Sequence, residues 1–132
     1  AKATVGAWLQ RLGIAPAEFQ IDDGCGLSRG NRISAQGMVR VLAFDVAGDD
    51  RQVMLDSLAV CGPDGTLETR CTGPRTGRVH AKTGFINNVQ TLSGYLKARD
   101  GNWYAFSILV NGTSGVRPLQ DRIVTAIDDR LP

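Results

Sequence analysis

The sequence predicts an α+β fold in which an antiparallel sheet is flanked by helices, and three observations carry that prediction. Apolar residues recur at helical spacing near both ends of the chain. Between them, residues 78–83, 89–97 and 103–111 read as strands rich in β-branched and aromatic side chains. Arg99-Asp100-Gly101-Asn102 separates the last two and is a strong hairpin signal. The 132 residues fit one domain, spanning 1–132, with a modest core.

Val5, Trp8, Leu9 and Leu12 form an i, i+3, i+4, i+7 stripe, and Gly13 is a natural stop, so residues 3–13 predict a short amphipathic helix. Pro16 and Asp22-Asp23 then lead into a Gly-Cys-Gly loop. Ser34 can cap a second helix whose inner face is Ala35, Met38, Val39, Leu42 and Val46. Gly48-Asp49-Asp50 ends it, and residues 51–60 predict a third helix with Val53, Met54, Ser57 and Leu58 on one side. Residues 62–77, rich in Gly, Pro and Thr, predict an irregular excursion with a short strand at Thr66-Leu67-Glu68. The strand from Trp103 is apolar on both faces, which predicts a central position covered by helices. Val116, Leu119, Ile123 and Ile127 stripe a closing helix, with Pro118 tolerated in its first turn.

Charge and composition narrow the function. A net charge of +2, without a dense basic run or basic-aromatic interleaving, argues against nucleic-acid binding. The longest apolar runs fall far short of the roughly 20 residues that cross a bilayer. The chain opens Ala-Lys-Ala rather than with Met, as a mature, trimmed or excised piece would. Cys61 and Cys71 bracket the turn Gly62-Pro63-Asp64-Gly65 and can be brought close enough to bridge, leaving Cys25 as the odd thiol. Three reduced cysteines fit the sequence equally well. A single histidine, His80, rules against a His-rich metal site and reads as a surface or cleft-wall residue. No metal or other cofactor is expected. The acidic pairs, Asp128-Asp129 among them, lie near loops and helix ends where solvated carboxylates are common. Asn111-Gly112-Thr113 matches a glycosylation sequon but reads as a plain turn after a strand.

Two stretches carry chemistry-bearing residues. Lys82-Thr83-Gly84-Phe85 sets an ammonium, a hydroxyl and a residue without a side chain on a strand edge. Such an edge can hold a carboxylate through Lys82 and Thr83, and Gly84 permits close backbone approach. A backbone N–H near Phe85 can serve an oxyanion. The second stretch is the loop held by Gly24, Gly26 and Gly30, which presents Ser28 and Asn31 just before a capped helix. A hydroxyl there can relay a proton, and an amide can hold a substrate carbonyl. Alone, each stretch is also explained by ordinary turn and cap chemistry.

Their order says more than either. Asp23-Gly24-Cys25-Gly26-Leu27-Ser28-Arg29-Gly30-Asn31, Ile33-Ser34-Ala35, Leu58-Ala59-Val60-Cys61-Gly62-Pro63-Asp64-Gly65-Thr66-Leu67, His80-Ala81-Lys82-Thr83-Gly84 and Leu92-Ser93-Gly94-Tyr95 follow one another. This closely resembles the C-terminal part of the D-alanyl-D-alanine carboxypeptidase/endopeptidase family of low-molecular-mass class C penicillin-binding proteins, peptidase family S13. The resemblance covers nearly the whole chain. It implies a penicillin-binding transpeptidase/β-lactamase-like fold and a serine peptidase that cleaves peptidoglycan stem peptides through an acyl-serine and binds β-lactams. It implies a periplasmic or extracytoplasmic bacterial location, free or membrane-associated. Carried over by motif, Ser28 and Asn31 correspond to the second-motif pair, and Lys82-Thr83-Gly84 is the third motif, Lys-Thr-Gly. Ser-Arg-Gly-Asn is one residue longer than Ser-x-Asn, and Cys25 stands where the family usually has Ser.

One motif is missing. Ser28, Ser34, Ser57, Ser93, Ser107 and Ser114 are each followed three residues later by something other than Lys, so the chain holds no Ser-x-x-Lys. Covalent catalysis of this type needs that nucleophile and its base. The expected partner is therefore an N-terminal segment of the same protein that carries Ser-x-x-Lys and completes the cleft. Two alternatives share the motif types: a non-catalytic peptidoglycan- or β-lactam-binding relic, and a β-lactamase segment.

Overall fold

The computed structural model describes residues 2–62, 65–70 and 73–132. Helix α1 (Lys2–Arg11) leads through a 3-10 turn, Pro16–Glu18, into β1 (Phe19–Gln20) and β2 (Arg32–Ile33), an antiparallel pair joined by the Gly-Cys-Gly loop. Ser34 then caps α2 (Ala35–Ala47), its hydroxyl accepting from the Gly37 N–H at 2.8 Å. That bond satisfies a donor the first helical turn leaves free. The same hydroxyl donates to Glu18 Oε1 at 2.8 Å and ties the helix start to the hairpin. After α3 (Arg51–Asp56), β3 (Ala59–Val60), β4 (Val79–Ile86), β5 (Val89–Lys97) and β6 (Trp103–Asn111) form one antiparallel sheet in that order. Helix α4 (Arg117–Asp128) closes the chain.

Register decides which side chains share a face. Val79 lies opposite Leu96, Ala81 opposite Gly94 and Leu92 opposite Ile108. Because strand residues alternate between faces, these residues and Phe106 line one side, where they pack with Val124 of α4. The other side carries Tyr95, Trp103 and Ala105 beneath Leu42 of α2 and Leu55 of α3. Tyr95 is fully buried and donates its hydroxyl to the Leu42 carbonyl at 2.9 Å. Burial, helped by Asp45, pushes its pKa up to about 12, so the hydroxyl keeps its proton through neutral pH.

Pairing corrects several expectations. Among the described residues β6 is the last strand of the sheet, not a central one. Both of its faces are nevertheless covered, which explains its apolar residues on each side. The third helix stops at Asp56 because Ala59 and Val60 pair with Ala81 and His80. Its buried residue is Leu55, while Val53 is 70% exposed. Thr66-Leu67 belongs to a 3-10 turn, not a strand, and Leu67 drops into the core. Val5 of the first stripe is exposed, and Leu9 alone of α1 is buried. β4 continues past Thr83 to Ile86, and the chain turns at Asn88, whose φ is +63°. His80 is half-buried, with Nδ1 3.1 Å from the Leu55 carbonyl and its ring edge-on to Trp103 at 4.8 Å.

Helix α4 is rotated from its apolar stripe. It buries Gln120, Val124 and Asp128, and leaves Leu119 48% exposed. Two arginines cause this. Arg70 donates to Gln120 Oε1 at 2.8 Å and to Asp121 Oδ1 at 3.0 Å. Arg78 forks onto both oxygens of Asp128 at 2.6 and 3.3 Å. Asp128 is thus a buried ion-pair partner and not a solvated carboxylate. Its side chain is 2% exposed and that of Arg78 20%. Asp128→Ala leaves a mostly buried guanidinium without its anion and is expected to cost about 3–5 kcal/mol in urea denaturation. A loss below about 1 kcal/mol, the range of surface pairs, contradicts that account.

Cys61 is fully buried and disulfide-bonded. Its expected partner Cys71 lies outside the described residues, as do Pro63 and Asp64. Cys25 is free and exposed. Among the described residues no helix is long and apolar enough to cross a membrane.

Candidate functional site

The chemistry-bearing strand is open along one edge. β3 pairs with β4 only at His80 and Ala81. From Lys82 to Ile86 no strand among the described residues flanks that side. The direction of the peptide groups there follows from two bonds. The Cys61 N–H donates to the Val79 carbonyl on the β3 side, and the Lys97 N–H donates to the Arg78 carbonyl on the β5 side. Alternate residues of a strand turn their N–H and C=O to opposite edges. Thr83 and Phe85 therefore present their peptide groups to the open edge, while Lys82 and Gly84 pair with Ser93 and Thr91 of β5.

Side chains alternate as well. Lys82 and Gly84 lie on the α2 face of the sheet; Thr83 and Phe85 lie on the α4 face. The exposed Lys82 ammonium folds onto its own strand and donates to the Thr83 carbonyl at 2.7 Å. Phe85 is 73% exposed. Gly84 has no room for a side chain, since a Cβ there would collide with the Thr91 hydroxyl.

The Gly-Cys-Gly loop is wound around Asp23. The Asp23 carboxylate accepts from the backbone N–H of Gly26 (2.9 Å), Leu27 (3.2 Å) and Ser28 (2.7 Å). It also accepts from the Asn31 amide nitrogen and the Cys25 thiol. The Asn31 amide oxygen in turn accepts from the Asp22 and Asp23 N–H groups at 2.7 and 3.1 Å. Both ends of the Asn31 amide are thus committed within the loop. The Ser28 hydroxyl donates to Asp22 and accepts from the Gly30 N–H at 2.9 Å. Asn31 first, then the backbone donors, hold the Asp23 carboxyl down to a pKa of about 2, and the Ser28 hydroxyl, then Lys2, lowers that of Asp22.

This clamp gives a pH prediction with a definite sign. A carboxyl with a lowered pKa stabilises the folded loop above its unfolded value, and the effect is lost as pH falls through the folded one. The Asp23 window runs from 3.8 down to about 2. Followed by NMR, the Asn31 side-chain amide is expected to titrate with a midpoint near pH 2. A midpoint at 3.8, the value of a free carboxyl, would mean the clamp is absent.

The structure brings the two stretches to one region without joining them directly. Arg29 Nη2 donates to the Asn87 carbonyl at 3.2 Å, which fastens the loop to the turn after β4. Ser28 and Asn31 then line a cleft of about 730 Å³ with Ile86, Asn87, Asn88 and Thr91. Lys82, Thr83, Gly84 and Phe85 stand outside that lining, on the strand leading to it. Sequence reasoning missed Asp23 as the hub and Arg29 as the fastener. The Asp-Gly-x-Gly spacing was the available signal for the first, because Asp in a glycine-rich loop accepts from the backbone ahead of it. Among the described residues no group of three or more His, Cys, Asp or Glu could hold a metal ion.

Comparison with known proteins adds a third line. The sequence model of the D-Ala-D-Ala carboxypeptidase 3 (S13) family matches residues 1–130. The D-alanyl-D-alanine carboxypeptidase of Actinomadura sp. (strain R39) is 39% identical over 127 residues, covering 90% of this chain and 23% of that protein. D-alanyl-D-alanine carboxypeptidase DacB of Haemophilus influenzae is 32% identical over 109 residues, covering 80% of this chain and 23% of that one. The chain thus spans under a quarter of the length of either relative. Among solved structures, penicillin binding protein 4 of H. influenzae superposes with a TM-score of 0.80 at 26% identity, over 96% of this chain and 31% of that one. A penicillin G-acylated predatory endopeptidase of Bdellovibrio bacteriovorus shares the fold, with a TM-score of 0.77 at 21% identity, over 98% of this chain and 39% of that one.

Proposed function

The chain belongs to the D-Ala-D-Ala carboxypeptidase 3 (S13) family, and from that premise we propose that it forms the substrate-binding wall of a serine-type D-Ala-D-Ala carboxypeptidase or DD-endopeptidase. The enzyme acts on peptidoglycan stem peptides and is acylated by β-lactams. The observation that carries the proposal is the open edge of β4 from Lys82 to Ile86. An extended peptide laid against it continues the sheet and meets the peptide groups of Thr83 and Phe85, the general mode of strand addition. Gly84 keeps the α2 face of the strand free of a side chain where the ligand comes close.

Lys82 is the charged group of the site. On ligand binding its ammonium leaves the Thr83 carbonyl, freeing that acceptor for the added strand, and takes the ligand's terminal carboxylate from the α2 face, while the Thr83 hydroxyl approaches the same group at the edge from the α4 face. The Phe85 N–H, directed at the edge, donates to the oxyanion of the acyl-transfer step. The nucleophile and its base come from an N-terminal segment with Ser-x-x-Lys. Ser28 and Asn31 enter this proposal in a narrower form than their motif implies. Asn31 positions the loop, and Ser28 can relay a proton to the leaving amine only once its hydroxyl leaves Asp22. The disulfide at Cys61 favours an extracytoplasmic location, where such bonds persist.

The test is fluorescent-penicillin labelling of the full-length protein, with the adduct located by peptide mass. The expected adduct is on a serine of a Ser-x-x-Lys outside residues 1–132. Failure to label would favour the non-catalytic relic. An adduct on Ser28 or Cys25 would overturn the division of labour proposed here.

A further inference from the structure

On the opposite side of the sheet from the Lys82 side chain, a crevice of about 130 Å³ lies between α4 and the segments that carry Leu67, Arg70 and Arg75. Its floor is apolar and belongs to the core: Leu67, Val79, Leu92 and Val124 are each 3% exposed or less. Its rim is cationic. Three arginines, Arg70, Arg75 and Arg122, face one carboxylate, Asp121. Arg70 is already committed, its side chain 6% exposed and bonded to Asp121 and Gln120. Arg75 and Arg122 have no side-chain hydrogen bond or ion pair among the described residues.

We propose that this crevice is a second ligand site, for a small carboxylate that carries an apolar body. The two requirements come from separate parts of the wall. The floor leaves apolar side chains beside an unfilled space, where the apolar body of a ligand gains by leaving water. The rim has one guanidinium neutralised and two without partners, and the planar fork of arginine matches a carboxylate. A neutral apolar molecule leaves the rim unanswered, and a bare anion leaves the floor unfilled. The site does not depend on the peptidase reading. Its floor residues Val79 and Leu92 lie on the α4 face, whereas Lys82 and Gly84 project from the other.

The experiment is saturation-transfer-difference NMR on the full-length protein with benzoate, against benzamide (the same ring without charge) and acetate (the charge without a ring). Benzoate is expected to bind saturably, with the other two at least about tenfold weaker. In the double variant Arg75→Ala/Arg122→Ala benzoate binding is expected to weaken about tenfold or more, the effect of losing charge-assisted hydrogen bonds. Penicillin labelling of the same variant stays unchanged. Equal binding of benzamide, undiminished binding by the double variant, or no saturable signal from benzoate overturns the site. Failure of penicillin labelling in the unaltered protein with benzoate binding intact tells against the peptidase reading alone.

Discussion

Replacing Gly94 with alanine is expected to cost the protein its native fold. Gly94 sits mid-strand in β5, opposite Ala81. A Cβ there would lie 2.6 Å from the Ala81 Cα and 2.7 Å from its Cβ, and closer still to the His80 carbonyl oxygen. Two are backbone atoms of the neighbouring strand and the third is a Cβ fixed to it, so nothing can rotate away. β4 would have to move off β5 at the step just before Lys82. Overpacking that a core cannot relax exceeds the usual 1–3 kcal/mol, and about 4–5 kcal/mol is a reasonable lower bound. Domains of this size are stable by only about 5–15 kcal/mol. Urea denaturation checks the prediction, with Gly24→Ala as control. Gly24 has open space around its would-be Cβ, and its substitution should change stability by no more than about 0.5 kcal/mol. Matching midpoints for the two variants would mean that β4 and β5 do not approach as described.

Lys82→Ala is expected to leave stability intact and slow acylation by penicillin. The side chain is exposed, and its one described hydrogen bond is to the Thr83 carbonyl of its own strand. Removing it therefore opens no cavity and breaks no contact between elements. If Lys82 holds the ligand as proposed, the same ammonium carries a charge-assisted bond to a carboxylate, worth about 1.5–3 kcal/mol, or roughly 10- to 150-fold in the second-order rate. A charge that recognises the ligand before and during reaction should show mainly as weaker binding, with a smaller change in the first-order step. The rate constant for penicillin acylation, resolved into its binding and chemical parts, checks this. An unchanged rate would remove Lys82 from the site.

How much of this was legible beforehand depends on how local the cause is. The strands Val89–Lys97 and Trp103–Asn111 and the hairpin at Arg99–Asn102 follow from alternation and turn chemistry within a few residues, and they stand as expected, whereas β4 runs three residues beyond its expected end at Thr83. The capped start of α2 at Ser34 is equally local. Helix α4 was misjudged because its orientation is decided by Arg70 and Arg78, whose partners Gln120 and Asp128 are each 50 residues away. A periodicity reading places Gln and Asp outside; a buried guanidinium brings them in. β3 escaped notice because two residues carry no periodic signal, yet its shortness leaves β4 open beyond Ala81. Lys82-Thr83-Gly84 was visible as a motif, but the edge-facing peptide groups of Thr83 and Phe85 emerge only from the register. Asn31 shows the converse: its amide looks available in sequence and is engaged at both ends in the fold.

The most direct test is amide hydrogen exchange at single-residue resolution on the full-length protein, with and without penicillin G. In the free protein the N–H groups of Thr83 and Phe85, directed at the open edge, should exchange faster than those of Lys82 and Gly84, which face β5. Ligand binding along the edge should slow Thr83 and Phe85 and leave Lys82 and Gly84 as they were. Protection that appears elsewhere, with the exchange of Thr83 and Phe85 unchanged, would show that the open edge of β4 is not where the ligand lies.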